Sequence, residues 1–301
     1  MRPCAATGTV VDRLAYKLSG EESSRVFDST IAPIRFSELV VQCAPVALFV
    51  GGQLGAGKTA LQEAIASVSS CDFSTVAIVN GDEFRGYHPR FRELNALDDT
   101  LAAFYTDADT GVWVERAIEL VSVRRSSLLI EGTLRDSQVT IGTARRLASL
   151  GYRNELHMVA ANAFYSRLRI LSRYLGQRKV DGYGRYTLLT AHDASYAALP
   201  ESVHEVIDSG LFGRVVLYDI ERNVLFDSDF DGTNVQEAVA TILAFVRSNT
   251  HVPYDTLLAD AQTMRRLALE LGCNDRVLAD VKKLVEDLLA AARAAEGGVA
   301  R

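Results

Sequence analysis

A three-layer α/β fold, with helices flanking a mainly parallel sheet and extra helices at the C-terminus, is what the sequence predicts, and three observations predict it. Short apolar runs recur between helix-forming stretches, at 46–50, 75–79, 127–130, 155–160 and 214–219. Alternation of this kind builds parallel sheets covered on both faces. The first run leads into Gly52-Gln53-Leu54-Gly55-Ala56-Gly57-Lys58-Thr59, which fits G-x-x-x-x-G-K-[ST], and helix-forming Ala60 to Ala66 follows. Strand, glycine-rich loop and helix in that order are the context the motif requires. Polar groups stand where the next two runs end, Asn80-Gly81-Asp82 and Glu131-Gly132-Thr133, and strand carboxyl ends are where open α/β sheets carry ligands. Together these predict a P-loop NTPase-type fold over residues 1–301 as one domain. Its parts are a helical lead-in (1–44), a core (45–232) with an Arg/Gly-rich lid at about 167–185, and C-terminal helices (233–301).

The lead-in reads as mostly helical from Val10 to Phe36. Ser19-Gly20-Glu21-Glu22 starts a helix with acids that complement its dipole. Val26, Ile31 and Ile34 face one side, to pack on the sheet edge. In the glycine-rich loop, successive N–H groups turn inward around an anion. Gly52, Gln53, Gly55, Ala56 and Gly57 line that anion, Lys58 neutralises β- and γ-phosphates, and the Thr59 hydroxyl ligates Mg²⁺. ATP and Mg²⁺ are therefore the expected cofactors. Asp82, after the second strand, is either a base that accepts a proton from a substrate hydroxyl or a solvated loop acid or helix cap.

Asp98 to Thr110 reads as a polar connection. Gly111 to Arg125 reads as a helix with Trp113, Ala117, Ile118 and Leu120 on its apolar side and Glu115 on another. The strand ending at Glu131 is followed by a helix that carries Thr143. The stretch from Arg167 to Arg185 concentrates Arg167, Arg169, Arg173, Arg178, Lys179 and Arg185 within an acidic chain, broken by Gly176, Gly182 and Gly184. It reads either as a closing lid whose arginines clamp a transferring phosphoryl group or as a solvated helix face with a loop. A helix to Asp208, a fifth strand, a hairpin strand at Val224 to Phe226 and three helices (235–247, 254–271, 274–295) complete the chain. The Ala-rich tail from Ala290 reads as a fraying helix end.

Composition narrows the classes. Hydrophobic residues are 48% and charged residues 23%, ordinary for a globular protein with a full core. A formal charge of −6 supplies no basic footprint for nucleic acid. Neither an apolar signal segment nor a run of membrane-spanning length is seen, which predicts a cytoplasmic protein. Cys4, Cys43, Cys71 and Cys273 lack C-x-x-C spacing, so neither a disulfide framework nor a zinc site is expected. No Asn-Lys-x-Asp base-reading motif supports a GTPase switch.

The ordered motifs resemble those of the zeta-toxin family over about Leu18 to Phe226. They are the glycine-rich loop from Gly51, Asp82-x-Phe84 with His88-Pro89, Ile130 to Arg135, Arg173-Tyr174, Arg185, Ala191-His192-Asp193, and Ser209 to Phe212. The resemblance implies a kinase that uses ATP to phosphorylate the 3′-hydroxyl of UDP-N-acetylglucosamine, a toxin that blocks cell-wall synthesis. It implies that Asp82 is the base, that Lys58, Arg173 and Arg185 act on the ATP phosphates, and that Thr59 holds the metal. Glu115, Glu131, Thr133, Arg135 and Thr143, together with Asp82, fall where the family contacts the UDP-sugar. A small helical antitoxin is the implied partner. Leu54 stands where many members have Pro, and Asn80-Gly81-Asp82 replaces a more acidic run. The residues alone leave open a kinase for another hydroxyl compound, such as an antibiotic or nucleoside, or a nucleotide-binding module without transfer.

Overall fold

The computed structural model describes residues 12, 14–69, 71–231 and 234–299, with no account of side chains 296–299. Cys4, Val10 and the start of the lead-in lie outside the described residues.

Six strands form one sheet, in the order β2-β3-β1-β4-β5-β6. They are β1 (Val46–Gly51), β2 (Ala77–Asn80), β3 (Leu128–Glu131), β4 (Arg153–Val159), β5 (Arg214–Tyr218) and β6 (Val224–Asp227). Every pairing is parallel except β5 with β6. All six residues of β1 are buried. Its alternate side chains enter two different cores: Ala47 and Phe49 on one face, Val46, Leu48 and Val50 on the other. That two-residue period, both sides apolar, is why the strand reads as a continuous hydrophobic run. β6 is pinned to β5 by a buried ion pair, Arg214 Nε donating to Asp227 Oδ1 at 3.0 Å.

Helices cover both faces: α1 (Gly20–Val26), α2 (Ala32–Arg35), α3 (Gln62–Val68), α4 (Gly81–Phe84), α5 (Phe91–Val123), α6 (Ser137–Ser149), α7 (Ala163–Asp181), α8 (Leu189–Asp208) and α9 (Val235–Ser248). Then α10 (Tyr254–Glu270) and α11 (Asp275–Val299) follow. Leu168, Leu171, Tyr174, Leu257, Ala261, Val277 and Val281 form a separate apolar cluster in which α10 and α11 pack on α7. α11 continues through the Ala-rich segment to Val299.

Several local expectations are corrected. Ser19 does cap α1 through a capping box with Glu22, but a π turn at Phe27–Ile31 separates α1 from α2. The extra residue in a π turn shifts the buried face, so Phe27 and Ile31 are buried while Ile34 is 61% exposed. Residues 98–110 are no connection but part of α5, broken only at Asp98 (φ −159°, ψ 100°). Their polar side chains find partners that leave the helix intact: Thr106 donates to Ala102 O at 3.0 Å, and Asp109 Oδ2 accepts from Leu18 N at 3.2 Å. Thr75 lies in a short 3₁₀ turn ahead of β2 rather than in the strand.

Candidate active site

The site lies at the carboxyl ends of β1, β2 and β3. In the loop after β1, Gly55 and Gly57 adopt left-handed backbone (φ 79° and 100°), a region closed to most side chains. A Cβ on Gly55 would stand 2.2 Å from the Ser166 carbonyl of α7, whereas one on Gly57 would meet nothing within 4 Å. The Gln53 side chain turns inward, donating to Ala161 O at 2.8 Å, so Gln53 offers the loop its backbone only. Lys58 is buried, with Nζ donating to Gly52 O (3.0 Å) and Gln53 O (3.1 Å). Burial lowers its pKa, opposed by Glu131 and Asp82. A 3₁₀ turn, Lys58–Leu61, intervenes between the loop and α3.

The Thr59 hydroxyl donates to Glu131, 3.1 Å from Oε2, and Asn80 Nδ2 donates to the same oxygen at 3.0 Å. Burial raises the Glu131 pKa, against the pull of Lys58. Glu131 therefore stands with the Thr59 hydroxyl, although the resemblance assigns it to the sugar. Among the described residues no three His, Cys, Asp or Glu side chains gather to hold a metal alone. A pair of hard oxygen donors suits Mg²⁺, which keeps waters and substrate phosphates in its shell.

Asn80 caps α4 through Asp82 N (3.0 Å), setting Asp82 in the first helical turn. Its carboxylate faces Arg185 Nη1 at 2.7 Å and Arg85 Nε at 3.2 Å. Burial pushes the Asp82 pKa up, but Arg185 and then Arg85 outweigh it and hold the group at about 2. Arg85 was not singled out in the sequence; it sits three residues from Asp82, the spacing that makes helical neighbours, and is itself held by Thr106 and Asp107.

Of the six basic residues expected in a lid, two face the site. Arg173 donates through Nη2 to Thr187 Oγ1 at 3.0 Å, and its pKa falls to about 10 through burial and then Arg185. The Nε groups of both Arg173 and Arg185 are buried without a hydrogen-bond partner. The rest are committed elsewhere: Arg167 to Asp193 and Asp287, Arg178 to Asp99, Arg169 over the Tyr165 ring, with Lys179 exposed. Gly176 lies inside α7, so a glycine-hinged lid across 167–185 gives way to a continuous helix ending at Gly182.

The other residues that the resemblance assigns to the sugar nucleotide are more dispersed. Thr133 and Arg135 leave β3 on either side of Leu134, a buried residue with left-handed backbone (φ 51°). Arg135 is exposed and Thr143 half-buried on α6. Glu115 is exposed and pairs with Arg146 at 3.3 Å. It follows Val114, whose Cγ2 is 3.1 Å from where a Cβ on Gly81 would stand, which brings this part of α5 against the turn bearing Asp82.

Comparison with known proteins agrees with the motif order. The family model for Zeta toxin matches residues 35–231. The toxin PezT of Streptococcus pneumoniae is 30% identical over 201 residues, 66% of this chain and 78% of that protein. The toxin zeta of Enterococcus hirae is 31% identical over 186 residues, 62% of this chain and 64% of that protein. A solved structure of the PezAT chromosomal toxin–antitoxin system of S. pneumoniae superposes with a TM-score of 0.68 at 24% identity, covering 85% of this chain and 98% of that one.

Proposed function

The chain belongs to the Zeta toxin family, and on that premise we propose that it is an ATP-dependent phosphotransferase whose acceptor is the 3′-hydroxyl of UDP-N-acetylglucosamine. The observation that carries the reading is the gathering of Lys58, Arg173 and Arg185 in one largely buried site, with Arg185 on Asp82 at 2.7 Å and two arginine Nε donors unspent. Three cations drawn together against desolvation fit a polyphosphate better than any internal partner in the site.

Lys58 and the backbone of residues 52–57 hold the β- and γ-phosphates, and Arg173 and Arg185 close on the group in transfer. Thr59 and Glu131 are the protein groups that would hold Mg²⁺, which when bound would offset phosphate charge. Asp82 accepts a hydrogen bond from the acceptor hydroxyl and lines it up with the γ-phosphorus. The acceptor O–P bond forms as the γ-phosphorus–oxygen bond to ADP breaks, and the hydroxyl proton passes to Asp82. With both arginines on it, Asp82 is too weak a base to remove that proton early. Proton transfer late in a loose transition state asks little of it, and movement of Arg185 onto the phosphates strengthens it. Thr133, Arg135, Thr143 and Glu115 take the nucleotide-sugar on the α5–α6 side.

As a toxin that depletes a cell-wall precursor, the protein works in the cytoplasm and is restrained by a small antitoxin. No helix among the described residues is long and apolar enough to cross a membrane. Mass spectrometry of UDP-N-acetylglucosamine incubated with ATP, Mg²⁺ and the protein tests the reading. A gain of one phosphate with wild type, lost in Asp82→Ala and Lys58→Ala, is expected. ATP binding without any sugar-nucleotide product would refute the acceptor and direct the search to other hydroxyl compounds.

A further inference from the structure

Arg185 carries much of the proposed chemistry, yet it stands on an irregular segment between α7 and α8. Its own backbone N–H bonds Gln177 Oε1 at 2.8 Å. The residue before it is held more firmly. Gly184 N donates to Asp99 Oδ2 at 3.1 Å, and Asp99 is only 5% exposed. The same carboxylate accepts from the Tyr174 hydroxyl (3.0 Å) and from Arg178 Nη1. Gly184 lies so close to α7 that a Cβ would stand 2.3 Å from Tyr174 O.

Asp99 reaches this place because α5 breaks one residue earlier. Asp98 leaves helical backbone and caps the following turn, its Oδ1 accepting from Thr100 N at 2.9 Å. An unbroken helix would turn position 99 along another azimuth. The C-terminal helices close the assembly from outside. Arg276 faces Asp98 at 3.6 Å, and the buried Tyr186 hydroxyl donates to Asp280. The segment is thus clamped on both sides of Arg185, at Gly184 and at Tyr186.

We propose that Asp99 is a positioning residue for phosphoryl transfer, holding Gly184 so that the Arg185 guanidinium sits over Asp82 and the phosphate site, with α11 bracing the same segment. The proposal deepens the kinase reading and rests on it for its catalytic consequence. A carboxylate suits the task because one group satisfies three donors from three sequence positions, and hydrogen bonds to an ionised acceptor are the strong ones. Displacing a catalytic group by about 1 Å costs up to about 100-fold in rate, so a clamp at the neighbouring residue matters more than its distance from the chemistry suggests.

Hydrogen exchange on the full chain without nucleotide tests the clamp. Asp99→Asn is expected to speed exchange in peptides covering 182–188 by about tenfold, the scale of losing one charge-assisted bond, with β1, β4 and β5 unchanged. Unaltered exchange at 182–188 would overturn the proposal, and this readout stands whether or not the acceptor is identified correctly. In the transfer assay Asp99→Asn should lower kcat about 10- to 100-fold with little change in KM for the acceptor. In an Arg185→Ala background the same substitution should cost less than about threefold. An equal loss in both backgrounds means general support of the fold and refutes positioning. Should Asp99→Asn fail to fold, Gly184→Ala displaces Arg185 while leaving Asp99 intact; normal kcat in that variant would also overturn the proposal. Wild type inactive with every acceptor defeats the kinase reading, and the exchange result then decides the clamp alone.

Discussion

The sharpest test of the loop geometry compares Gly55→Ala with Gly57→Ala. Both positions have left-handed backbone, φ 79° and 100°, which costs an L-residue about 1–2 kcal/mol. Only Gly55 adds a collision, because its Cβ would lie 2.2 Å from Ser166 O and 2.9 Å from Ile170 Cγ1. Ser166 O is backbone on α7 and yields only if the helix moves; overpacking of this kind adds about 1–3 kcal/mol. Gly57→Ala should therefore lose about 1–2 kcal/mol, and Gly55→Ala about 2–5 kcal/mol. With an unfolding entropy of about 2.1 cal/mol/K per residue, a chain of 301 residues loses about 1.5 °C in Tm per kcal/mol. The expected drops are about 2–3 °C and about 3–8 °C, read by calorimetry on matched samples. Because α7 also carries Arg173, Gly55→Ala should weaken ATP binding further than Gly57→Ala does. Equal Tm losses, or a larger loss at Gly57, would refute the contact on which the reasoning depends.

Three further outcomes follow from buried charge. Arg214→Met leaves Asp227 buried and unpaired and should cost about 3–5 kcal/mol, visible as a urea midpoint shift; a shift under about 1 kcal/mol would mean the pair behaves as a surface bridge. Burial lowers the pKa of His88 and of His192, against the pull of Asp109 and Asp193. The unfolded chain therefore takes up protons that the folded one refuses, and Tm should fall as pH drops below about 6.5; a flat profile from pH 7 to 5.5 would contradict neutral buried imidazoles. Asp82, held at about 2, should titrate upward toward about 3.9 in Arg185→Ala, followed by carboxyl NMR, and an unmoved titration would break the Asp82–Arg185 pair.

Much of the fold was legible because it depends on patterns local in sequence. The continuous burial of β1 and the Ser19–Glu22 capping box are properties of short segments. What stayed hidden depends on partners far along the chain. Asp99 and Asp109 look like loop acids until Tyr174, Gly184 and Leu18 are seen to donate to them, so Asp98 to Thr110 of α5 reads in the sequence as a connection. The same limit governed the site. Lys58 and Thr59 follow from a motif within one loop, but the pairing of Thr59 with Glu131 spans 72 positions. Which arginines of the 167–185 stretch turn inward was equally unreadable, since charge alone does not tell Arg173 from Arg167, which is taken by Asp193.

The brace supplied by α11 also sets when the arginine segment is fully fastened during synthesis. Arg185 precedes Asp280 by 95 residues, which at about 5–20 residues per second is about 5–20 s of translation. Throughout that interval the phosphate loop and Asp82 have been made, while Tyr186 awaits its acceptor on α11. A ribosome stalled within α10 would hold a nascent chain with every proposed catalytic residue present and the arginine segment fastened on one side only. The last fastening of the arginine segment therefore waits until α11 has left the ribosome.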